Sequence, residues 1–399
     1  MPSTNLWSKR NRASSQLYFD YAAATPLDRR VGALVSSIEK TIYGNPSSVH
    51  GTGQKAAHIL EDSRFRIAQV LKTRPEAIVF TSSGTEANNL ALFGVRHPLG
   101  AVGHMLISSI EHHSVIRAAE QLRSGREADI CYLPVRHGGH ISSSGILDMI
   151  RPDTRFISVG YANNEIGVVQ SLGEISKMIR DKFPPGERPL LHSDACQAAG
   201  YLDLDVHRLG VDFMTLSAAK IYGPKGIGCL FVKPGLDLAP MIFGGDQERG
   251  RRAGTINPAL AAGFALALEI AEQKRKKESQ RLYELREYLI DAIVASIPDA
   301  ILNGDRAKRL PNNINFSFKN IEGEMLMLAL DMEGIAVSTG AACTLTSTDP
   351  SHVLQALGTP QEYLLGNIRI TIGRQTTKKD VGTLLAKLKI AVQRLRQKK

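Results

Sequence analysis

Short apolar runs recur through the first three-fifths of this 399-residue chain: Ile78–Phe80, Met105–Ser108, Ile130–Leu133, Phe156–Val159, Pro189–His192, Val211–Leu216 and Cys229–Val232. Runs this short read as buried strands. Helix-like stretches alternate with them, one opening near Glu86 and another running from Val115 to Leu122. Such alternation predicts an α/β fold, a mostly parallel sheet with helices packed on its faces. At 43% hydrophobic residues the chain has ample material for a large core.

From Pro258 the pattern changes. A helical region runs to about Ile297 with Leu260, Phe264, Leu268 and Ala271 on one face, and it breaks at Pro298. Its length marks a connection to a second, smaller α+β domain. Strands are expected there near Ile314–Phe318 and Ile368–Ile372, with helices near Glu322–Met332 and from Thr377 onward. The expected division is a disordered tail over 1–16, a segment 17–32 packing on the small domain, a large domain over 33–257, a connecting helix over 258–297 and a small domain over 298–399.

No apolar run reaches membrane-spanning length. Met1–Gln16 lacks the apolar core of a secretory signal. The four cysteines (Cys131, Cys196, Cys229, Cys343) form no C-x-x-C pair, which suits a reducing compartment and gives the expectation of a cytoplasmic protein. The formal charge of +10 is concentrated in Lys274–Lys277 and in the C-terminal stretch Arg394–Lys399. These read as solvated helix faces able to dock an acidic protein or RNA. No pattern for sequence-specific nucleic-acid reading accompanies them.

Five stretches carry chemistry. Thr81–Asn89 follows a strand and opens a helix, where free backbone N–H groups with Ser, Thr and Gly form an anion cradle or an ordinary N-cap. Asp194 ends a strand, at the usual ligand crevice of an open α/β sheet, and His112 follows another. Lys220 and Lys225 lie in the turn Ser217–Gly228 between two buried strands, where desolvation frees the neutral amine that a Schiff base requires. Cys343 sits among small polar residues, a setting for an exposed thiol. A phosphate turn, a strand-end carboxylate and a strand-flanked lysine together match what pyridoxal phosphate needs.

With these motifs the chain resembles the NifS/IscS-type cysteine desulfurases of the class V aminotransferase family, from Tyr18–Pro26 to about Thr377. The resemblance rests on Gly44–His50, Thr85–Asn89, Ala162–Gly167, Asp194–Gln197, Lys220–Lys225, Gln247–Gly250 and Ala341–Thr344. It implies the pyridoxal-phosphate fold-type I architecture with a seven-stranded-type sheet. It implies that Lys220 forms the Schiff base, that His112 stacks on the ring, and that Asp194 pairs with the ring nitrogen. Asn164 and Gln197 would contact the ring, and Thr85 and Ser217 would hold the phosphate, joined by Thr255 from the other subunit of a homodimer. Arg369 would clamp the carboxylate of L-cysteine. Cys343, on a long cysteine loop, would take the sulfur as a persulfide for an iron–sulfur scaffold or a tRNA-thiolation relay.

One position departs from the pattern. Ala219 stands where relatives carry a histidine that donates to the phosphate. Its loss removes one charge-assisted hydrogen bond of about 1.5–3 kcal/mol at most, so weaker cofactor binding is expected. Two other readings stand beside the desulfurase: a selenocysteine lyase or another class V enzyme, and a dimeric scaffold impaired by Ala219.

Overall fold

The structure, a computed structural model, describes residues 16–97, 103–340 and 350–397. Cys343 and most of the N-terminal tail lie outside the described residues. Twelve strands are described: β1 (Leu17–Tyr18), β2 (Ile78–Thr81), β3 (His104–Ser108), β4 (Asp129–Leu133), β5 (Thr154–Ser158), β6 (Leu190–Asp194), β7 (Phe213–Ser217), β8 (Gly228–Val232), β9 (Ala300–Leu302), β10 (Asn313–Phe318), β11 (Ile335–Ala336) and β12 (Asn367–Thr371). The helices that matter to the site are α1 (Arg29–Thr41), α2 (Gly51–Leu71), α3 (Gly84–Gly94), α4 (His113–Ser124), α5 (Leu172–Lys182), α6 (Pro258–Ser296), α7 (Gly323–Met332) and α8 (Lys378–Gln397).

Seven strands form the large sheet in the order β2-β8-β7-β6-β5-β3-β4. Strands β3 to β7 are parallel. Strand β8 alone runs antiparallel, to both β7 and β2. The reason is local: only residues 218–227 join β7 to β8, too few for the helical crossover that a parallel return needs. Alternate residues point to opposite faces, and both faces are covered. Ile78, Phe80, Leu106, Met214 and Leu216 pack into a core shared with α1, α2, α5 and the first half of α6. Val79, Met105, Ile107 and Phe213 pack into a second core with α3 and α4. Burial on both sides explains why these strands carry apolar residues on both faces.

A separate core surrounds the antiparallel sheet β12-β10-β9. Phe316 and Phe318 of β10 meet Leu326 and Leu330 of α7 and Leu384 and Leu388 of α8 there. Phe19 from the N-terminal segment joins the same core, while Val31 of α1 belongs to the large one. Helix α6 has 39 residues, about 58 Å at 1.5 Å per residue. Asn257 caps its start by accepting from the N–H groups of Ala259 and Leu260, and Pro258 fills a position that needs no donor. Its first half buries Phe264 and Leu268 in the large core and its second half buries Leu289 and Ile293 in the small one. Among the described residues no helix is long and apolar enough to cross a membrane.

Candidate active site

The parallel strands place their C-terminal ends along one crevice. A cavity of about 470 Å³ opens there, lined by His112, Asn164, Asp194, Gln197, Ser217, Lys220 and Arg369, with Ser83, Gly84 and Thr85 at one corner. Thr255 is exposed and lies elsewhere, beside a depression lined by Asn45, Pro46 and Gln247. Of the two lysines left open by the sequence, Lys220 lines the cavity. Lys225 is exposed and donates to the carbonyl of Thr25 at 2.8 Å.

The segment Ala22–Thr25 forms one wall. Lys220 Nζ donates to the carbonyls of Ala22 (2.9 Å) and Ala23 (2.5 Å), and Gln197 Nε2 also donates to Ala22 (2.9 Å). Thr25 donates twice to the carbonyl of Ala219 and accepts from the N–H of Tyr222. The wall itself is held by Tyr18 Oη, which donates to the carbonyl of Ala24 at 2.7 Å.

Asp194 ends β6 with both carboxylate oxygens engaged: Oδ1 accepts from the N–H of Cys196 (2.9 Å) and Oδ2 from Asn88 Nδ2 (2.7 Å). Asn88 also donates to Ser114 Oγ at 2.8 Å. That hydroxyl therefore directs its own proton to His112 Nδ1 at 2.7 Å, which also accepts from the N–H of Ser114. With Nδ1 accepting twice, the neutral ring carries its proton on Nε2. Burial lowers the His112 pKa, Asp194 opposes that shift, and Lys220 adds to it. Asn88 thus orients two of the predicted site residues, although the sequence offered no reason to single it out from its motif.

Glu111 lines the same cavity, fully enclosed, and accepts from the N–H of Gly160 at 2.5 Å. Burial first, then the nearby Asp194, push its carboxyl up to about 8, so it is neutral at pH 7. The only sequence signal for it was an acid at a strand end directly before His112.

Beneath Asp194, buried His192 is held between Ser158 Oγ (2.9 Å) and Thr215 Oγ1 (3.2 Å), and burial lowers its pKa from 6.5 to about 4. A lowered histidine pKa favours the neutral native form, so its contribution is intact above pH 6.5 and lost as pH falls toward 4. Glu111 has the opposite sign: its raised pKa makes stability fall as pH rises from 4.5 to about 8. The His192 effect is therefore read as a difference. The stability gap between wild type and His192→Gln is expected to narrow by about 3 kcal/mol between pH 6.5 and 4 in urea titrations. A gap independent of pH rules this out.

The corner at the start of α3 suits a phosphate. Ser83 caps the helix by accepting from the N–H of Glu86 at 3.1 Å, so cap and cradle coexist. A Cβ on Gly84 would come within 2.8 Å of Cys196 Sγ, so glycine lets the helix start sit this close to the turn after β6. The carboxylate of Glu86, which would repel an anion, is paired with Arg252 at 2.7 Å. Arg369 is 4% exposed, donates to Asp20 Oδ1 (2.8 Å) and to the carbonyl of Asn164 (3.1 Å), and has a buried Nε without a partner among the described residues. An anion cradle, a strand-end carboxylate, a lysine and an incompletely used guanidinium around one cavity fit pyridoxal phosphate and an amino acid. Among the described cysteines, burial pushes the thiols of Cys196 and Cys229 well up.

Residues 17–384 match the class-V aminotransferase family. The chain is 42% identical over 382 residues to "Cysteine desulfurase IscS" of Dictyoglomus turgidum, covering 96% of this chain and 95% of that protein. A solved NifS-like protein superposes with a TM-score of 0.87 at 32% identity, covering 95% of this chain and 100% of its own. SspA solved in complex with cysteine gives a TM-score of 0.76 at 31% identity, covering 89% and 98%. Motifs, fold and relatives agree, and the chain belongs to the class-V aminotransferase family.

Proposed function

We infer that the chain is a pyridoxal-phosphate-dependent cysteine desulfurase, which converts L-cysteine to L-alanine and transfers the sulfur to Cys343. The observation that carries this reading is the convergence of Lys220, Asp194, His112 and Arg369 on one cavity, in a chain whose curated relatives are named cysteine desulfurases. The alternatives of a selenocysteine lyase and of an impaired scaffold have no comparable support.

Bound in the cavity, pyridoxal phosphate supplies an electron sink for negative charge at the α-carbon of the amino acid. The chain's own groups do the rest. Ser217, Thr85 and the N–H groups opening α3 hold the phosphate. Asp194, fixed by Asn88 and the N–H of Cys196, would pair with the ring nitrogen. Asn164 and Gln197 would contact the ring, and His112, with its proton at Nε2, would stack on it. Lys220 provides the amine, and Arg369 receives the substrate carboxylate. The Cys343 thiol gains the sulfur atom as a persulfide. The carbon that carried the sulfur is reduced to a methyl group, so no external oxidant is required. The test is alanine formation from L-cysteine by wild type and Cys343→Ser, with pyridoxal phosphate and a reductant. Alanine in excess over enzyme from wild type alone supports the reading. Equal turnover by both proteins rules out the role of Cys343.

Two finer points belong to the same proposal. The chain works as a homodimer in which Thr255 reaches the partner's phosphate corner. Large exposed apolar side chains flank its loop: Phe243 and Tyr43 are each 84% exposed and Val49 is 89% exposed. The persulfide passes to a sulfur-acceptor protein of iron–sulfur assembly or tRNA thiolation.

Ala219 lines the cavity with only a methyl group. Ala219→His is expected to tighten pyridoxal phosphate binding by about tenfold or more, the worth of one charge-assisted hydrogen bond, in equilibrium dialysis without substrate. An unchanged dissociation constant would show that the corner is already complete without the imidazole.

A further inference from the structure

At the far end of the large sheet a second constellation lies outside the cavity. His104 opens β3 and is paired in register with Asp129 of β4. Cys131 lies two residues further along β4 and so shares a face with Asp129. One ligand atom from each of these three side chains falls within 4.8 Å of the other two. We propose that His104, Asp129 and Cys131 form a binding site for one zinc ion on the outer edge of the large sheet.

His104 is fully buried, yet its Nε2 has no hydrogen-bond partner among the described residues. A buried polar nitrogen left unused is costly unless something arrives to use it. Its Nδ1 is engaged with Thr154 Oγ1 at 2.7 Å. That oxygen has room to accept both Nδ1–H and the N–H of Arg151, which it takes at 2.8 Å. A ligating histidine is commonly fixed this way, with the second nitrogen donating to an oxygen and the other turned toward the metal. Burial lowers the His104 pKa, and the nearby Arg151 adds to the shift.

The place is already shaped for a positive charge. Arg151 donates to Asp129 Oδ2 at 2.5 Å and to Cys131 Sγ at 3.1 Å. Its side chain is 47% exposed and that of Asp129 is 54% exposed, so the guanidinium can swing into water and leave both ligands. Ion pairs this exposed contribute little, so a metal displaces Arg151 at small cost. Imidazole, carboxylate and thiolate are a zinc donor set, and the open side admits water as the fourth ligand. The site sits at the N-terminal ends of β3 and β4, and the cavity lies at the C-terminal ends. A five-residue strand separates them by about 16 Å. The metal staples edge strand β4 to β3 and takes no part in the reaction.

The experiment is equilibrium dialysis of the full-length holoenzyme against zinc chloride with a competing chelator. It is done in a Cys343→Ser background to remove a second thiol. One zinc per chain is expected. Cys131→Ser and Asp129→Asn should each weaken binding by at least about tenfold, whereas Arg151→Ala should tighten it. Zinc should raise the melting temperature of the parent but not of Cys131→Ser. Both changed side chains are partly or largely exposed, so the variants keep the fold. Zinc binding that is absent, or that is the same in Cys131→Ser and the parent, overturns the proposal.

Discussion

Lys220→Ala is expected to abolish alanine formation from L-cysteine, with kcat falling on the order of 10³-fold or more. The lysine also has a structural duty, because its Nζ holds the carbonyls of Ala22 and Ala23. Lys220→Arg separates the two. A guanidinium keeps a cation and several N–H donors for the same carbonyls but does not release a neutral amine near pH 7. Lys220→Arg should therefore be as inactive as Lys220→Ala while melting within a degree or two of wild type. Lys225→Arg is the control: that lysine is exposed and donates to the carbonyl of Thr25, so activity should stay within about twofold. If Lys220→Arg retained a tenth of the activity, the assignment of the amine to this residue would fail.

The second large effect concerns stability. Arg64 of α2 and Glu248 are 3% and 1% exposed and form a two-pronged ion pair at 2.8 and 2.7 Å. Arg64 also donates to the carbonyl of Ile78 (2.6 Å), and Glu248 accepts from the N–H of Phe80 (2.7 Å). The pair thus ties α2, edge strand β2 and the turn leading to Thr255. Glu248 and Arg249 both have positive φ, 49° and 57°, which non-glycine residues hold only when their surroundings insist. Glu248→Ala leaves the buried guanidinium with only the more exposed Glu61 as a carboxylate partner among the described residues and should lower unfolding free energy by about 3 kcal/mol. Arg64→Met combined with Glu248→Leu should recover much of that loss, since a buried pair can be replaced by apolar groups at little net cost. Denaturant titration of the three variants decides it. A double variant as unstable as the single one would locate the stability in the charges themselves.

The same ion pair shows where sequence reading stops. Strands β2 to β8 were legible because each is apolar on both faces, and α6 because Phe264, Leu268 and Ala271 repeat at helical spacing. Helix α2 went unread although it is 21 residues long. Its buried side includes Ser63 and Arg64, which break an apolar stripe, and the partner that makes burial of Arg64 possible lies 184 residues away. In the site, Asp194, His112 and a lysine that was either Lys220 or Lys225 were legible from their chemistry, while the resemblance singled out Lys220 and Arg369; Asp194, His112, Lys220 and Arg369 line one cavity. Asn88 and Glu111 were not, because each acts through a neighbour that the chain supplies only after folding: Ser114 and Asp194 for one, Asp194 and the N–H of Gly160 for the other. The direction of β8 could have been inferred, since ten residues of turn leave no space for a crossover.

The wall Ala22–Thr25 has a consequence for the order in which the protein becomes functional as it is made. Leu17 and Tyr18 are held by Ile335 and Ala336, and Asp20 bridges to Thr371. The large sheet is complete at Val232, so a growing polypeptide on the ribosome can close that sheet with Lys220 and Asp194 in place. It still lacks Arg369 and the strands β11 and β12 that hold Leu17, Tyr18 and Asp20. On the proposed role of Arg369, catalytic competence therefore waits until β12 has been made, well after the lysine and its sheet.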